Sequence, residues 1–254
     1  MNLNFDTNIA KNYHSNTQKI RVMSEDWVVK NIYCVKCGNK LRHFENNKPV
    51  ADVYCEKCKE EFELKSNKNR IGKKIVDGAY STMIERVNNG SVPNFFYLTY
   101  SSNDYSVRDF MVIPRHFFTK EIIIKRSPLS PSARRAGWIG CNIDISAIPQ
   151  SGRLFLVRNG QEEDKSNVIE NFNKMLFLRN SKGELKGWQL DILKCIEVLG
   201  KKEFSLNDIY SFEDFLRNRY PHNFNIQAKI RQQLQILRDN YYLSFVGRGK
   251  YKLL

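Results

Sequence analysis

The sequence predicts a mixed α/β domain built on a β-sheet, residues 1–182, followed by a winged-helix domain, residues 183–254. Three observations support this division. Short runs of β-branched and aromatic residues accompany helical patterns up to about residue 157, which is typical of a sheet with flanking helices. Beyond residues 181–183 the pattern changes to three amphipathic helices and a final hairpin. Two Cys-x-x-Cys pairs also predict a metal site embedded in the first domain.

Seven short runs in the first domain predict strands, because each is apolar or alternates apolar with polar residues. They are residues 50–54, 61–65, 95–100, 110–113, 122–124, 143–145 and 154–157. Two further segments have apolar residues at helical spacing. They are residues 16–30, with Ile20, Met23, Trp27 and Val28, and residues 77–87, with Ala79, Met83, Ile84 and Val87.

The second domain has the order of elements that defines a winged helix. Residues 188–199 form the first amphipathic helix. Ser205 begins the second, over residues 205–216, with Asp208 at the capping-box position that Glu or Gln usually occupies. Residues 225–241 form the third, whose apolar stripe is Ile226, Ile230, Leu234 and Leu237. Two short strands around Gly247, Arg248 and Gly249 then complete the wing.

Composition and charge indicate the class of partner. With 41% hydrophobic residues the chain of 254 residues can build a core, which excludes wholesale disorder. The net charge of +14 predicts attraction to nucleic acid or to an anionic membrane. No apolar run approaches the roughly 20 residues of a membrane-spanning helix, and the first 24 residues do not resemble a signal peptide. We therefore expect a cytoplasmic protein that binds nucleic acid, without a membrane or an obligate protein partner.

The positive charge is concentrated in the winged helix. Residues 225–254 contain six basic residues and one acid, a net charge of +5. The polar face of the third helix is predicted to expose Lys229, Arg231, Gln232, Gln233 and Gln235. Arg and Gln suit the base edges of the DNA major groove, whereas Arg248 and Lys250 in the wing suit phosphates. A solvated helix face is the alternative.

Residues 125–140 are rich in Pro, Ser and Gly, which predicts an irregular loop. The loop also carries Arg126, Arg134, Arg135 and Trp138. Loops of this length without secondary structure are commonly functional or disordered. Arg and Trp in a basic protein favour contact with nucleic acid, and the alternative is a solvated basic loop with one packing tryptophan.

Four of the six cysteines form two pairs, Cys34/Cys37 and Cys55/Cys58, with 17 residues between the pairs. A thioredoxin-like redox motif would need one pair at the junction of a strand and a helix. Two pairs at this spacing predict a structural zinc site with four thiolate ligands. Cys141 and Cys195 are predicted to be small buried side chains.

Asp52 lies three residues before Cys55, and Glu63 and Lys65 follow the second pair. Residues two apart on a strand face the same side, so Glu63 and Lys65 project together while Phe62 and Leu64 face the core. If Asp52 lies on the neighbouring strand, two carboxylates and an ammonium group converge. Such a set can hold Mg²⁺ and hydrolyse a phosphodiester, with Lys65 orienting or deprotonating the nucleophile or stabilising the phosphorane charge. A cross-strand ion pair on a solvated face is the alternative.

These motifs resemble those of the DpnI family of methyl-directed type II (type IIM) restriction endonucleases. The resemblance spans essentially the whole chain and is carried by the cysteine pairs and by residues 46–52, 61–66, 77–80, 134–143 and 231–238. It implies a PD-(D/E)xK domain of the restriction-endonuclease fold before the winged helix, with both domains reading double-stranded DNA that contains GATC with N6-methyladenine. Asp52, Glu63 and Lys65 would be catalytic, the four paired cysteines would hold zinc, and Trp138 would sense the methyl group. One departure is Pro49, which lies three residues before Asp52 rather than next to it.

Three other functions stay open from the residues alone. A regulator that binds methylated DNA without cutting would not need Asp52. A nuclease for RNA or branched DNA would cut with Mg²⁺ regardless of adenine methylation. A structural scaffold accounts for the charge but leaves the set of Asp52, Glu63 and Lys65 unexplained.

Overall fold

The computed structural model describes residues 1–44, 51–68, 70–181 and 183–254. Residues 46–50, which contribute to the family resemblance and include Pro49, and the predicted boundary residue 182 lie outside these ranges. The chain forms two compact units. The first comprises Met1–Ala147 and Gly152–Asn173, and the second comprises Ile148–Ser151 and Lys174–Leu254. The first unit is mixed α/β and the second is a winged helix, so the predicted fold class is confirmed.

A seven-stranded sheet forms the core of the described part of the first unit. Its strands in chain order are β1 (Arg42–His43), β2 (Val53–Tyr54), β3 (Glu61–Lys68), β5 (Asn94–Tyr100), β6 (Val107–Ile113), β9 (Leu154–Arg158) and β10 (Gln161–Glu162). In space the order is β1-β2-β3-β5-β6-β9-β10. The pair of β3 and β5 is parallel and the other neighbouring pairs are antiparallel. The residues of β5 are all buried, as the run of aromatic and apolar side chains in that strand requires.

A smaller sheet of three strands also lies in the first unit. Its strands are β4 (Lys74–Ala79), β7 (Ile123–Lys125) and β8 (Gly140–Asp144), in the order β4-β8-β7. The described residues of this unit also form three α-helices: α1 (Asn16–Asn31), α2 (Tyr80–Asn89) and α3 (Lys165–Lys174). α1 buries Met23, Trp27 and Val28, as its apolar spacing predicts, and the indole of Trp27 packs edge-on against Phe110. α3 was not predicted from the sequence.

The described residues of the second unit form four α-helices and three strands. The helices are α4 (Gly183–Leu199), α5 (Leu206–Tyr210), α6 (Glu213–Arg219) and α7 (Ile226–Asp239). The strands are β11 (Glu203–Ser205), β12 (Leu243–Gly247) and β13 (Lys250–Leu253), in the order β11-β13-β12. The predicted hairpin of the wing is confirmed, with Gly249 in the left-handed region at its turn. The apolar stripe of α7 is also confirmed, since all four predicted residues are buried.

Two predicted helices are wrong in part. The segment 77–87 begins as strand β4, and its helix begins only at Tyr80. The β-branched residues Ile75 and Val76 favour the strand, and Gly78 disfavours a helix. The segment 205–216 divides into α5 and α6, with Ser211 and Phe212 between them, and the hydroxyl of Ser211 donates to the carbonyl of Asp208 where α5 ends. None of the helices in the described ranges is long and apolar enough to cross a lipid bilayer.

Candidate functional site

Asp52 is positioned by the backbone of β3. Its own amide donates to the carbonyl of Phe62 at 2.9 Å, and its carboxylate accepts a 2.6 Å hydrogen bond from the amide of Leu64. The next residue, Val53, begins β2 and pairs with Phe62. Asp52 therefore lies beside the strand that carries Glu63 and Lys65, one residue before β2 begins.

Glu63 and Lys65 face the same cavity from β3. Nζ of Lys65 lies 2.6 Å from Oε1 of Glu63 and 5.9 Å from the centre of the Phe95 ring. Only 15% of the Glu63 side chain and 26% of the Lys65 side chain are exposed. Phe62 and Leu64 were expected to face the core. Phe62 is fully buried, as expected, whereas Leu64 is only half-buried and lines a different groove.

The three residues share a cavity of about 260 Å³. Its wall is formed by β3, by the end of β4 and by the first turns of α2. The lining residues are Ala51, Asp52, Glu63, Lys65, Asp77, Gly78, Ala79, Thr82, Met83 and Arg86. The structure thus brings the predicted carboxylates and the ammonium group together, and it adds a third carboxylate and a guanidinium group.

Asp77 was missed by sequence reasoning because the segment that contains it was predicted to be helical. In the structure it lies on β4 opposite Cys141, its side chain is 6% exposed, and Oδ1 lies 2.7 Å from Nζ of Lys65. The available signal was the pair Ile75-Val76 before it. Ile75 is buried, and in a strand the side chain of Asp77, two residues later, lies on the same side as that of Ile75.

Electrostatics in the cavity keep Lys65 charged. Burial by itself lowers the pKa of Lys65. The carboxylates of Glu63 and Asp77 raise this pKa by more than burial lowers it, so the net shift is upward. Lys65 is therefore an ammonium ion at neutral pH in the structure, which favours charge stabilisation over proton abstraction. Burial raises the pKa of Glu63, against the opposing effect of Lys65.

The carboxylates fit a divalent cation with oxygen ligands. Oε2 of Glu63 is buried without a hydrogen-bond partner, although its other oxygen contacts Lys65. A buried carboxylate oxygen without a donor is costly unless a ligand satisfies it. The Asp52 carboxylate lines the same cavity and is held by one backbone donor. Asp52 and Glu63 are the residues that would hold the ion.

The four paired cysteines form a cluster whose sulfur atoms all lie within 4.8 Å of one another. The separations of Cys34 from Cys58 and of Cys37 from Cys55 are 3.4 and 3.5 Å. Tetrahedral zinc with bonds of about 2.3 Å places its sulfur ligands about 3.8 Å apart, so the cluster needs little adjustment to hold the ion. Burial raises the pKa of the Cys34 and Cys58 thiols, and a bound cation would favour their thiolate forms.

The cluster is connected through the backbone to the strands that carry the predicted site residues. The amide of Cys55 donates to the carbonyl of Glu60, and Asp52 lies immediately before β2, which leads into this turn. The Glu60 carboxylate is buried and contacts Lys36 at 3.1 Å and the amide group of Asn94 on β5 at 3.0 Å. The cysteine turns and β3 therefore form one packed structure.

The loop before β8 folds back on itself. The amide of Leu129 donates to the carbonyl of Trp138, and the amide of Gly137 donates to the carbonyl of Leu129. Trp138 is half-buried, and the guanidinium of Arg135 lies 4.6 Å from the centre of its ring. Arg134 is exposed. A half-buried indole and two exposed basic side chains thus belong to one ordered turn.

The polar face of α7 differs from the prediction at one residue. Arg231, Gln232 and Gln235 are exposed and Lys229 is half-buried, but Gln233 is fully buried. The expectation for Gln233 was wrong because it lies next to Leu234 and Ile230 on the inward side of the helix, one turn from Leu237. The hydroxyl of Tyr210 on α5 lies 2.6 Å from Nη1 of Arg231 and orients its guanidinium.

The wing presents both charged and apolar groups. Arg248 and Lys250 are exposed at the turn and at the start of β13. On the preceding strand Phe245 and Val246 are about half exposed. Phe224, just before α7, has 86% of its surface exposed. Sequence reasoning missed these apolar side chains, whose exposure depends on how the wing and α7 pack.

Comparison with known families gives two matches that together span almost the whole chain. The model of the DpnI family, described as the Dam-replacing family, matches residues 1–181. A second model, described as the Dam-replacing HTH domain, matches residues 184–253. The first match contains the cavity, the cysteine cluster and the Trp138 loop, and the second contains the described winged helix.

Proposed function

The chain belongs to the Dam-replacing family, which implies a methyl-dependent restriction endonuclease with a DNA-binding HTH domain, and on that premise we propose its target and its chemistry. The proposed substrate is double-stranded DNA with N6-methyladenine in GATC. The proposed reaction is Mg²⁺-dependent hydrolysis of a phosphodiester at the cavity around Asp52. The observation that carries the proposal is the convergence of Asp52, Glu63 and Lys65 in one cavity, with a buried Glu63 oxygen left without a donor.

The roles of the residues follow from their geometry. Asp52 and Glu63 hold the cation, and the amide of Leu64 fixes the Asp52 carboxylate in place. The ion, when bound, lowers the pKa of a coordinated water and neutralises charge on the scissile phosphate. Lys65, held as an ammonium ion, donates to the phosphate oxygens as negative charge develops during the attack of water on phosphorus.

Zinc in the cysteine cluster is proposed as a structural ion. Four thiolates close a tetrahedral site and leave no position for substrate. Its contribution is to brace the turn before β1 and the turn after β2, and thereby the position of Asp52.

Methyl reading by two domains is the proposed source of discrimination. Burying one methyl group against the indole of Trp138 contributes about 1 kcal/mol, which gives less than about a tenfold preference. GATC is self-complementary, so two methylated adenines are available to the Trp138 loop. α7 contacts the methylated site separately and adds its own preference for methylated DNA. The contacting residues are Lys229, Arg231, Gln232 and Gln235. Arg134, Arg135, Arg248 and Lys250 would contact phosphates.

The test is digestion of one plasmid, prepared with and without adenine methylation, by the wild type and by Asp52→Asn. Asparagine keeps an oxygen that accepts from Leu64, so the variant removes charge while preserving the local fold. Asp109→Asn is the matched control, since Asp109 lies on β6 outside the cavity lining and accepts hydrogen bonds from Thr99 on β5 and from Asn159 between β9 and β10.

The expected result is cleavage of the methylated copy alone at GATC, lost in Asp52→Asn and kept in Asp109→Asn. Cleavage of both copies would leave a nuclease but reject methyl reading. Binding of methylated DNA without cleavage by the wild type would favour the regulator instead.

A further inference from the structure

Asp77 reaches the catalytic cavity from outside the strand that carries the predicted residues. It lies on β4, which belongs to the three-stranded sheet, whereas Glu63 and Lys65 lie on β3 of the seven-stranded sheet. Its side chain is 6% exposed, and Oδ1 is 2.7 Å from Nζ of Lys65. Lys65 is therefore held by two carboxylates from two different sheets.

The two carboxylates are not equivalent. Glu63 has a free buried oxygen, and in the proposed function its charge is shared with a divalent cation. A carboxylate committed to a cation attracts a neighbouring ammonium group less strongly. Asp77 is then the remaining full counter-charge for Lys65, and because it lies on another strand it defines a direction for Nζ that Glu63 alone does not define.

The immediate surroundings support a dedicated role. Asp77 pairs across the sheet with Cys141, whose thiol is a donor to the carbonyl of Gly78 at 3.5 Å. The register of β4 against β8 shifts between Asp77 and Ala79. Irregularities of this kind redirect side chains near functional sites. Here the irregularity follows directly after the residue that contacts Lys65.

We propose that Asp77 is a positioning residue of the cleavage reaction, which holds the ammonium group of Lys65 toward the reacting phosphate. This inference rests on the proposed function. Asp77 acts through Lys65 and contributes little when Lys65 is absent.

A double-mutant cycle tests the proposal by single-turnover cleavage of methylated DNA with excess enzyme. Asp77→Asn is expected to lower the rate constant by roughly 10- to 100-fold, with the affinity for DNA and the melting temperature close to wild type. In a Lys65→Met background the same change is expected to cost less than about twofold more. Asp77→Glu, which keeps the charge, is expected to recover part of the rate. Asp109→Asn is the control and is expected to cleave like the wild type.

Three outcomes would overturn the inference: full activity of Asp77→Asn, an equal loss from Asp77→Asn with and without Lys65, or a loss that appears only in DNA affinity and stability. An equal loss would make Asp77 an independent contributor, such as a metal ligand. If the Lys65→Met variant is too slow to measure, crystal structures of wild type and Asp77→Asn decide the case. Nζ of Lys65 displaced in the variant supports the proposal, and Nζ unmoved contradicts it. Failure of the proposed function is distinguishable, since the wild type would then not cleave methylated DNA.

Discussion

The indole of Trp138 lies against the backbone of Gly140, so that a Cβ atom at Gly140 would come within 2.8 Å of Cη2 and Cζ3 of the ring. Real Cβ atoms do not approach so closely, and the ring would have to move. The small size of Gly140 is therefore what permits the present position of Trp138. The guanidinium of Arg135 lies 4.6 Å from the centre of the same ring.

Gly140→Ala is expected to displace Trp138 and weaken methyl discrimination. Losing one methyl contact of about 1 kcal/mol reduces the ratio of cleavage rates for methylated and unmethylated DNA by about fivefold. The ratio is measured on matched duplexes. Gly72→Ala serves as the control, because a Cβ there makes only ordinary contacts and its backbone is not left-handed. An unchanged ratio in Gly140→Ala would argue against Trp138 as the methyl sensor.

Loss of zinc is expected to destabilise the first unit and abolish cleavage. Cys55→Ser removes one of four ligands and should eliminate the roughly one equivalent of zinc that the cluster predicts, as measured by metal analysis of the purified protein. Thermal unfolding should begin at a lower temperature, because zinc binding is coupled to folding. Cys195→Ser is the control for zinc content, since Cys195 lies in α4 outside the cluster. Zinc retained in full by Cys55→Ser would contradict the assignment.

The capping box of α5 is expected to give the second unit a pH-dependent stability. The hydroxyl of Ser205 accepts from the amide of Asp208, while the Asp208 carboxylate accepts from the amide of Ser205 and contacts Lys201 at 2.7 Å. Its hydrogen bonds with Lys201 and Ser205 hold the pKa of Asp208 well below the ordinary value. Because the folded pKa is the lower one, this stabilisation is present above about pH 4 and is lost as the pH falls further.

Two variants test the Ser205 hydroxyl and the Asp208 charge separately. Ser205→Ala should cost about 1 kcal/mol at neutral pH. Asp208→Asn should speed amide hydrogen exchange in α5 at pH 7, and the difference from wild type should shrink below about pH 4. A difference that is constant with pH would show that the charge of Asp208 does not matter.

Substitutions at two adjacent glutamines of α7 are expected to change different properties, DNA affinity at Gln232 and stability at Gln233. Gln232 is exposed on the proposed DNA face, so Gln232→Ala should weaken binding to the methylated site by about 1–3 kcal/mol and leave stability unchanged. Gln233 is fully buried, and its Oε1 has no hydrogen-bond partner. Gln233→Met should therefore raise the free energy of unfolding by about 1 kcal/mol and leave DNA affinity unchanged. Urea denaturation and fluorescence titration measure the two quantities, and a loss of affinity in Gln233→Met would reassign that residue to recognition.

The wing is expected to contribute affinity without sequence preference. Arg248→Ala and Lys250→Ala should each reduce the slope of log K against log salt concentration by about one, because each removes one phosphate contact. Affinity for methylated and unmethylated DNA should fall by the same factor. A selective loss for the methylated site would instead place the residue at a base edge.

Much of the site could be predicted because its signals are local. The spacing of the cysteine pairs indicated a four-ligand cluster, and the two-residue period of a strand placed Glu63 and Lys65 on one side. The apolar stripe of α7 and the Ser205 cap are likewise properties of one element. In each case the covalent chain and the geometry of a single helix or strand determine which side chains lie together.

The tertiary structure decided three features of the site. They are the contact of Asp77 with Lys65, the burial of Gln233 and the position of the Trp138 ring against Gly140. Asp77 meets Lys65 only because β4 comes beside β3, although the two strands belong to different sheets and pair with different neighbours. Gln233 lies at helical spacing from Ile230 and Leu237, at the edge of the apolar stripe, and the packing of other elements on α7 decides that this edge is buried. The sequence of a single helix or strand determines which of its side chains share one side. Which sides of different elements pack together depends on the burial and charge of residues that are distant in sequence.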